Sequence, residues 1–237
     1  MIWTGREFII TGTRVSCRHL MKNTFLASVI VVICQLMLAT NVSAESIDQL
    51  VLSMSQKLAD LNSLNESIVR GKLRVRLCQY CHGKDGNSVK NEIPNLAQQN
   101  PVYLLTQFEY FRTNQRTNTV MNRLAKGLSR EERINIALYY ASQEVKVDKT
   151  AMKTDLASIN RGSRIYNKTC VNCHGKKGYG ERTLPRIAGQ KFEFLSKTLT
   201  AYKNKEAVRP DSPMVGVSSG LSEEDILSLA NYVSQIN

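Results

Sequence analysis

Apolar residues along this chain fall into helical stripes that recur in two successive halves, and there is no convincing strand signal. A largely apolar run from Phe25 to Leu38 comes first. Ile47, Leu50, Val51, Met54, Leu58 and Leu61 then line one face of a helix. Further spacing predicts helices from about Ser67 to Tyr80 and Pro101 to Asn114, with counterparts from about Asn160 to Asn172 and Phe192 to Lys203. Ser129-Arg130-Glu131-Glu132 and Ser222-Glu223-Glu224-Asp225 each set a hydroxyl three positions before an acidic residue, a capping pattern that opens one more helix per half. The predicted fold class is all-α.

The halves match in detail as well as in period. Gly71 precedes Cys78 as Gly162 precedes Cys170, and Pro94-Asn95-Leu96-Ala97-Gln98-Gln99 answers Pro185-Arg186-Ile187-Ala188-Gly189-Gln190. Tyr103-Leu104 matches Phe194-Leu195, and Met121 to Tyr140 runs without a gap against Met214 to Val233, sharing Gly127/Gly220, Leu128/Leu221, Ser129/Ser222 and Tyr139/Tyr232. One domain has been duplicated.

Residues 1–44 read as a leader. Met21-Lys22-Asn23, the apolar run, and Val42-Ser43-Ala44 are the basic, apolar and small-residue regions of a secretory signal spanning about 21–44, with cleavage expected after Ala44. The run is short for a membrane span and is interrupted by Gln35. Met1 and Met21 are both candidate starts. The division expected after the leader is an N-terminal amphipathic helix at 45–66, a first domain at 67–145, a charged linker at 146–157 and a second domain at 158–237. Packing over the first domain is the expected use of the 47–61 stripe; docking on a partner or membrane surface is the alternative.

The chemistry lies in Cys78-Gln79-Tyr80-Cys81-His82 and Cys170-Val171-Asn172-Cys173-His174. Two thiols three positions apart on a helical turn can each add across a vinyl group of one haem, and the next residue turns its imidazole toward the iron. Beyond the leader every Cys and His belongs to one of these motifs. A single zinc held by both Cys pairs would leave two adjacent histidines unexplained. The expectation is two covalently bound haem c groups on Cys78, Cys81, Cys170 and Cys173, with His82 and His174 as axial ligands.

No histidine is left for the opposite face of either iron, so a methionine thioether is the natural partner. Met121 and Met214 occupy equivalent places, 39 and 40 positions after their histidines, whereas Met54 and Met152 have no counterparts. Met121 and Met214 are the expected distal ligands, each placed in a loop.

Charge adds a partner class. The net charge is +12 over the chain and +9 from Glu45 onward. The cations are scattered without nucleic-acid motifs, so no nucleic-acid partner is expected. Lys84, Lys90, Lys126, Lys176, Lys177, Arg182 and Arg186 lie close in sequence to the haem motifs. They read either as a solvated face or as a group that steers acidic redox partners.

The haem motif, the Pro94-Asn95-Leu96-Ala97 segment, the Tyr103-Leu104 helix, and a Met followed seven positions on by Leu-Ser and an Ala-containing aromatic helix occur in order in both halves. Together they resemble the cytochrome c4 family, dihaem proteins made of two tandem class I cytochrome c domains related by a pseudo-twofold axis. The resemblance covers about residues 67–237. It implies that the carbonyls of Pro94 and Pro185 accept a hydrogen bond from the proximal histidine, and that Gly71 and Gly162 let the first helix of each half cross the last near Tyr139 or Tyr232. It also implies a periplasmic electron carrier between a quinol-oxidising complex and a terminal oxidase, with peripheral membrane association. The alternative is a dihaem electron-accepting subunit of a flavoprotein dehydrogenase, such as a sulfide-oxidising flavocytochrome. Either way the chain is a carrier and not an enzyme, because His and Met ligation leaves an iron no open position.

Overall fold

The computed structural model describes residues 7–10, 13–16, 46–147, 155–206, 209 and 212–236. The signal-like run, Ala44 and most of the charged linker, with Met152, lie outside the described residues. Two bodies are distinguished, 1–45 and 46–237. In the first, β1 (Glu7–Ile10) pairs antiparallel with β2 (Thr13–Ser16), Glu7 opposite Ser16 and Ile10 opposite Thr13. This hairpin lies within residues 1–44, which the all-α expectation leaves aside. Phe8, Ile9, Ile10, Thr13 and Val15 are aromatic or β-branched, and runs this short carry little periodic signal.

The body from Ser46 onward is helical among its described residues, apart from an isolated bridge between Glu181 and Leu184. Its opening helix, α1 (Ile47–Ala59), starts at a reciprocal cap: Gln49 N donates to Ser46 Oγ at 3.3 Å, and Ser46 N donates to Gln49 Oε1 at 3.2 Å. It stops at Asp60, whose carboxylate accepts the Ser63 N–H at 2.9 Å and so opens α2 (Leu61–Arg74). The helix expected over 45–66 is therefore shorter, and the first helix of the repeat begins at Leu61 instead of Ser67. Leu61 is 75% exposed and leaves the stripe, while Leu50 and Met54 are fully buried in the first half's core. Burial of two such side chains contributes about 1.5–3 kcal/mol each. The stripe thus packs on the chain's own first half.

The remaining elements of that half are α3 (Gln79–His82), α4 (Pro101–Arg112), α5 (Thr119–Lys126) and α6 (Arg130–Ala141). The second half repeats α2 to α6 as α7 (Leu156–Ile165), α8 (Val171–His174), α9 (Phe192–Lys203), α10 (Met214–Ser219) and α11 (Glu223–Gln235). Both closing helices carry the full capping box at Ser129/Glu132 and Ser222/Asp225. The helices expected to run straight into the haem motifs are each broken. Arg74 ends α2 before a turn with buried Val75, and α7 passes into a π-helical turn at Tyr166–Cys170. A π turn displaces the residues that follow it around the helix axis, which re-aims Cys170 and the motif beyond it.

In each half the first helix crosses the last at a glycine, Gly71 over α6 and Gly162 over α11. Leu105, Phe108, Ile134, Ile136 and Tyr140 fill the first core, and Tyr166, Leu195, Leu229, Ala230 and Val233 form the smaller second one. Neither methionine sits in a loop. Met121 is the third residue of α5, because Asn118 Oδ1 caps that helix by accepting the Met121 N–H at 3.0 Å, and Met214 is the first residue of α10.

Candidate haem sites

Each thiol pair is carried by one turn of helix that ends in its histidine. Cys78 is the residue before α3, Cys81 and His82 are its last two residues, and Gly83 then reverses the chain at φ +80°. In the second half Cys170, Cys173, His174 and Gly175, at φ +76°, take the same places around α8. A left-handed backbone there lets the chain leave the helix at once, as glycine alone does readily.

His82 and His174 are buried, and their Nδ1 atoms lie 2.9 Å from Pro94 O and 3.0 Å from Pro185 O. Burial pushes both imidazoles below the ordinary histidine value, against the pull of the proline carbonyls. A carbonyl only accepts, so the neutral ring carries its proton on Nδ1 and keeps the Nε2 lone pair for a metal. None of the four motif cysteines forms a disulfide. Burial raises the Cys78 thiol and pushes Cys170 up to about 11, so neither is the low-pKa thiolate that redox dithiols use. Among the described residues no three His, Cys, Asp or Glu side chains converge.

The halves are joined through the segments that hold the histidines. Gln99 Nε2 donates to Arg186 O at 2.7 Å while Arg186 N donates to Gln99 Oε1 at 2.7 Å. The mirror pair repeats this, with Gln190 Nε2 on Asn95 O at 3.0 Å and Asn95 N on Gln190 Oε1 at 2.7 Å. Gln99 aligns with Gln190 and Asn95 with Arg186, so this contact has the self-complementary form of a twofold interface.

Two cations near that joint escaped the sequence reading. Arg116 and Arg209 stand five positions before Met121 and Met214, and extending the gap-free alignment backward would have paired them. Arg116 Nη1 donates to Gln107 Oε1 at 2.8 Å, and Arg209 Nη1 reaches the same oxygen and Tyr103 Oη, each at 3.1 Å. Burial pushes Arg116 below the ordinary arginine value. Arg209 Nε finds no hydrogen-bond partner in the protein. Paired thiols, an imidazole with Nε2 free, and half-buried guanidinium groups with capacity for an acid make a donor set that fits a haem and its carboxylates.

One expected steering residue is misplaced. Arg186 is 6% exposed with its guanidinium 4.2 Å over the Tyr179 ring, because its backbone belongs to the joint between the halves. Lys84, Lys90, Lys126, Lys176, Lys177 and Arg182 are exposed. No described helix is long and apolar enough to cross a membrane.

The cytochrome c family model matches residues 159–237. Cytochrome c-554(548) of Halomonas halodenitrificans is 38% identical over 77 residues, 31% of this chain and 93% of the relative. Cytochrome c4 of Pseudomonas aeruginosa is 29% identical over 175 residues, 70% of this chain and 87% of the relative. The structure of reduced recombinant cytochrome c4 from Pseudomonas stutzeri superposes with a TM-score of 0.64 at 27% identity, over 70% of this chain and 97% of that one. The chain belongs to the cytochrome c4 family. As a member of that family it is an electron carrier with covalently bound haem c, two groups in keeping with its two motifs. A thiosulfate dehydrogenase electron acceptor of Stutzerimonas stutzeri is also similar, at 26% identity over 67% of this chain and 78% of the relative.

Proposed function

We propose that this cytochrome c4 works in the periplasm, taking electrons from a quinol-oxidising complex and handing them to a terminal oxidase. Cys78 and Cys81 hold one haem and Cys170 and Cys173 the other. His82 with Met121, and His174 with Met214, would hold the two irons, and Pro94 and Pro185 orient the histidine rings. The observation that carries this reading is the doubled arrangement in which a buried, neutral imidazole follows two thiols directly and is turned by a proline carbonyl. When bound, haem supplies a one-electron couple, and occupied axial positions leave no room for a reactant. The protein's task is then to hold the rings still, exclude water and present an edge to partners. The signal-like leader supports export, and the exposed lysines near the motifs support docking on acidic faces, with peripheral attachment to the membrane.

A second reading has its own support. The resemblance to a thiosulfate dehydrogenase electron acceptor favours service to a sulfur-compound dehydrogenase, in the role of accepting subunit. Stopped-flow mixing separates the two. The respiratory reading expects fast reduction by quinol-oxidising membranes and fast reoxidation by oxidase-containing membranes. Reduction only by a co-purifying dehydrogenase would replace it with the second.

A further inference from the structure

The peptide unit Pro94–Asn95 is engaged at both ends. Its carbonyl oxygen faces His82 Nδ1 at 2.9 Å, and its N–H donates to Gln190 Oε1 at 2.7 Å. The unit Pro185–Arg186 does the same, with His174 Nδ1 at 3.0 Å on its oxygen and Gln99 Oε1 at 2.7 Å on its N–H. In both cases the glutamine comes from the opposite half. We propose that Gln99 and Gln190 are positioning residues that act across the pseudo-twofold axis, Gln190 setting the donor strength of His82 and Gln99 that of His174. This rests on the axial roles assigned to the two histidines above.

The physical link is the polarisability of one amide. An acceptor on its N–H moves electron density toward its carbonyl oxygen, which then accepts more strongly from Nδ1–H. The ring becomes a better donor through Nε2 and favours the ferric state, as outer hydrogen bonds to metal-bound histidines generally do. Both glutamine oxygens are pinned by a second donor, Asn100 N at 3.0 Å for Gln99 and Lys191 N at 2.9 Å for Gln190. Asn95, Gln99, Arg186 and Gln190 are 4, 6, 6 and 7% exposed, so water is poorly placed to replace a lost glutamine oxygen. Each half therefore carries an adjustment for the other half's iron, and opening the joint would alter both sites together.

The test uses the mature holoprotein with Gln99→Met and Gln190→Met, which keep length and lose the amide. Potentiometric titration should show Gln190→Met raising the midpoint of the His82 haem alone, and Gln99→Met that of the His174 haem alone. In the reduced protein the Nδ1–H resonance of the same histidine should move upfield. Midpoints that stay put, move together, or move in the half that bears the substitution overturn the inference. In the unsubstituted protein, scalar coupling across the hydrogen bonds should link Asn95 ¹⁵N to Gln190 ¹³Cδ and Arg186 ¹⁵N to Gln99 ¹³Cδ. Absent couplings overturn it even where a variant fails to accumulate. Two histidines without the strong ring-current shifts of axial imidazoles would instead reject the ligand assignment beneath it.

Discussion

Gly71 lies so close to Asn135 that a Cβ placed on it would fall 2.2 Å from the Asn135 carbonyl oxygen, and 2.7 Å from Tyr139 Cβ. Gly162 stands in the same relation to Ser228, at 2.1 Å from its carbonyl oxygen, and at 2.8 Å from Tyr232 Cβ. The obstacles are backbone, which cannot swing aside, so the helices must separate. Gly71→Ala and Gly162→Ala should each destabilise by about 1–3 kcal/mol or more. Denaturant unfolding of the holoprotein checks this, and unchanged midpoints would show that the crossings are looser than described.

Glu109 is buried, with its carboxylate 2.5 Å from Arg133 Nε and 2.8 Å from Arg112 Nε. The first is a charge contact more than an aligned hydrogen bond, since the Arg133 fork also serves Leu128 O at 2.7 Å. Glu109→Ala leaves the buried Arg133 charge with no carboxylate beside it and should cost about 3–5 kcal/mol. Thermal unfolding should show the first half melting early while the second half's haem environment is retained.

Asp225 is held below the ordinary carboxylate range, first by the Ser222 N–H on its Oδ2 at 3.0 Å and further by the Ser222 hydroxyl and Arg161. A depressed folded value means that its contribution is complete above the unfolded-state pKa and is lost as pH falls through the folded one. Asp225→Asn should therefore weaken the second half by about 1 kcal/mol at neutral pH, the scale of a helix cap. The difference from the unsubstituted protein should shrink as pH falls below about 4. A difference constant from pH 7 to pH 2 would contradict the capping role.

Met121→Ala and Met214→Ala test the distal assignments one haem at a time. Each should remove the methionine-to-ferric-iron absorption of one haem, open that iron to added ligands such as imidazole, and leave covalent attachment intact. An unchanged spectrum would reject the assignment for that half.

Much of the fold was legible because duplication doubles every signal. The bounds of α9 at Phe192 and Lys203 and both capping boxes follow from local residues that also decide them in the folded chain. Where a cap lacks the Ser-box pattern, or a tertiary partner decides, the reading slipped. The stripe from Ile47 to Leu61 reads as one amphipathic helix, yet the Asp60 carboxylate within it starts a new one, which puts the first helix of the repeat at Leu61. Asn118 draws Met121 into α5 by a cap whose spacing differs from the Ser boxes. Arg186 looked like a surface cation because nothing local announces that its backbone meets Gln99 from the other half. Contacts between two domains depend on both surfaces at once, and a periodic pattern describes only one.

The central claim is that this chain carries two haems, each bound through its own pair of cysteines. A pyridine haemochrome assay on the mature protein, combined with its intact mass, measures this most directly. The account predicts two haem c groups per chain, both retained after denaturation. One group, none, or haem that is released by acidified organic solvent would contradict it.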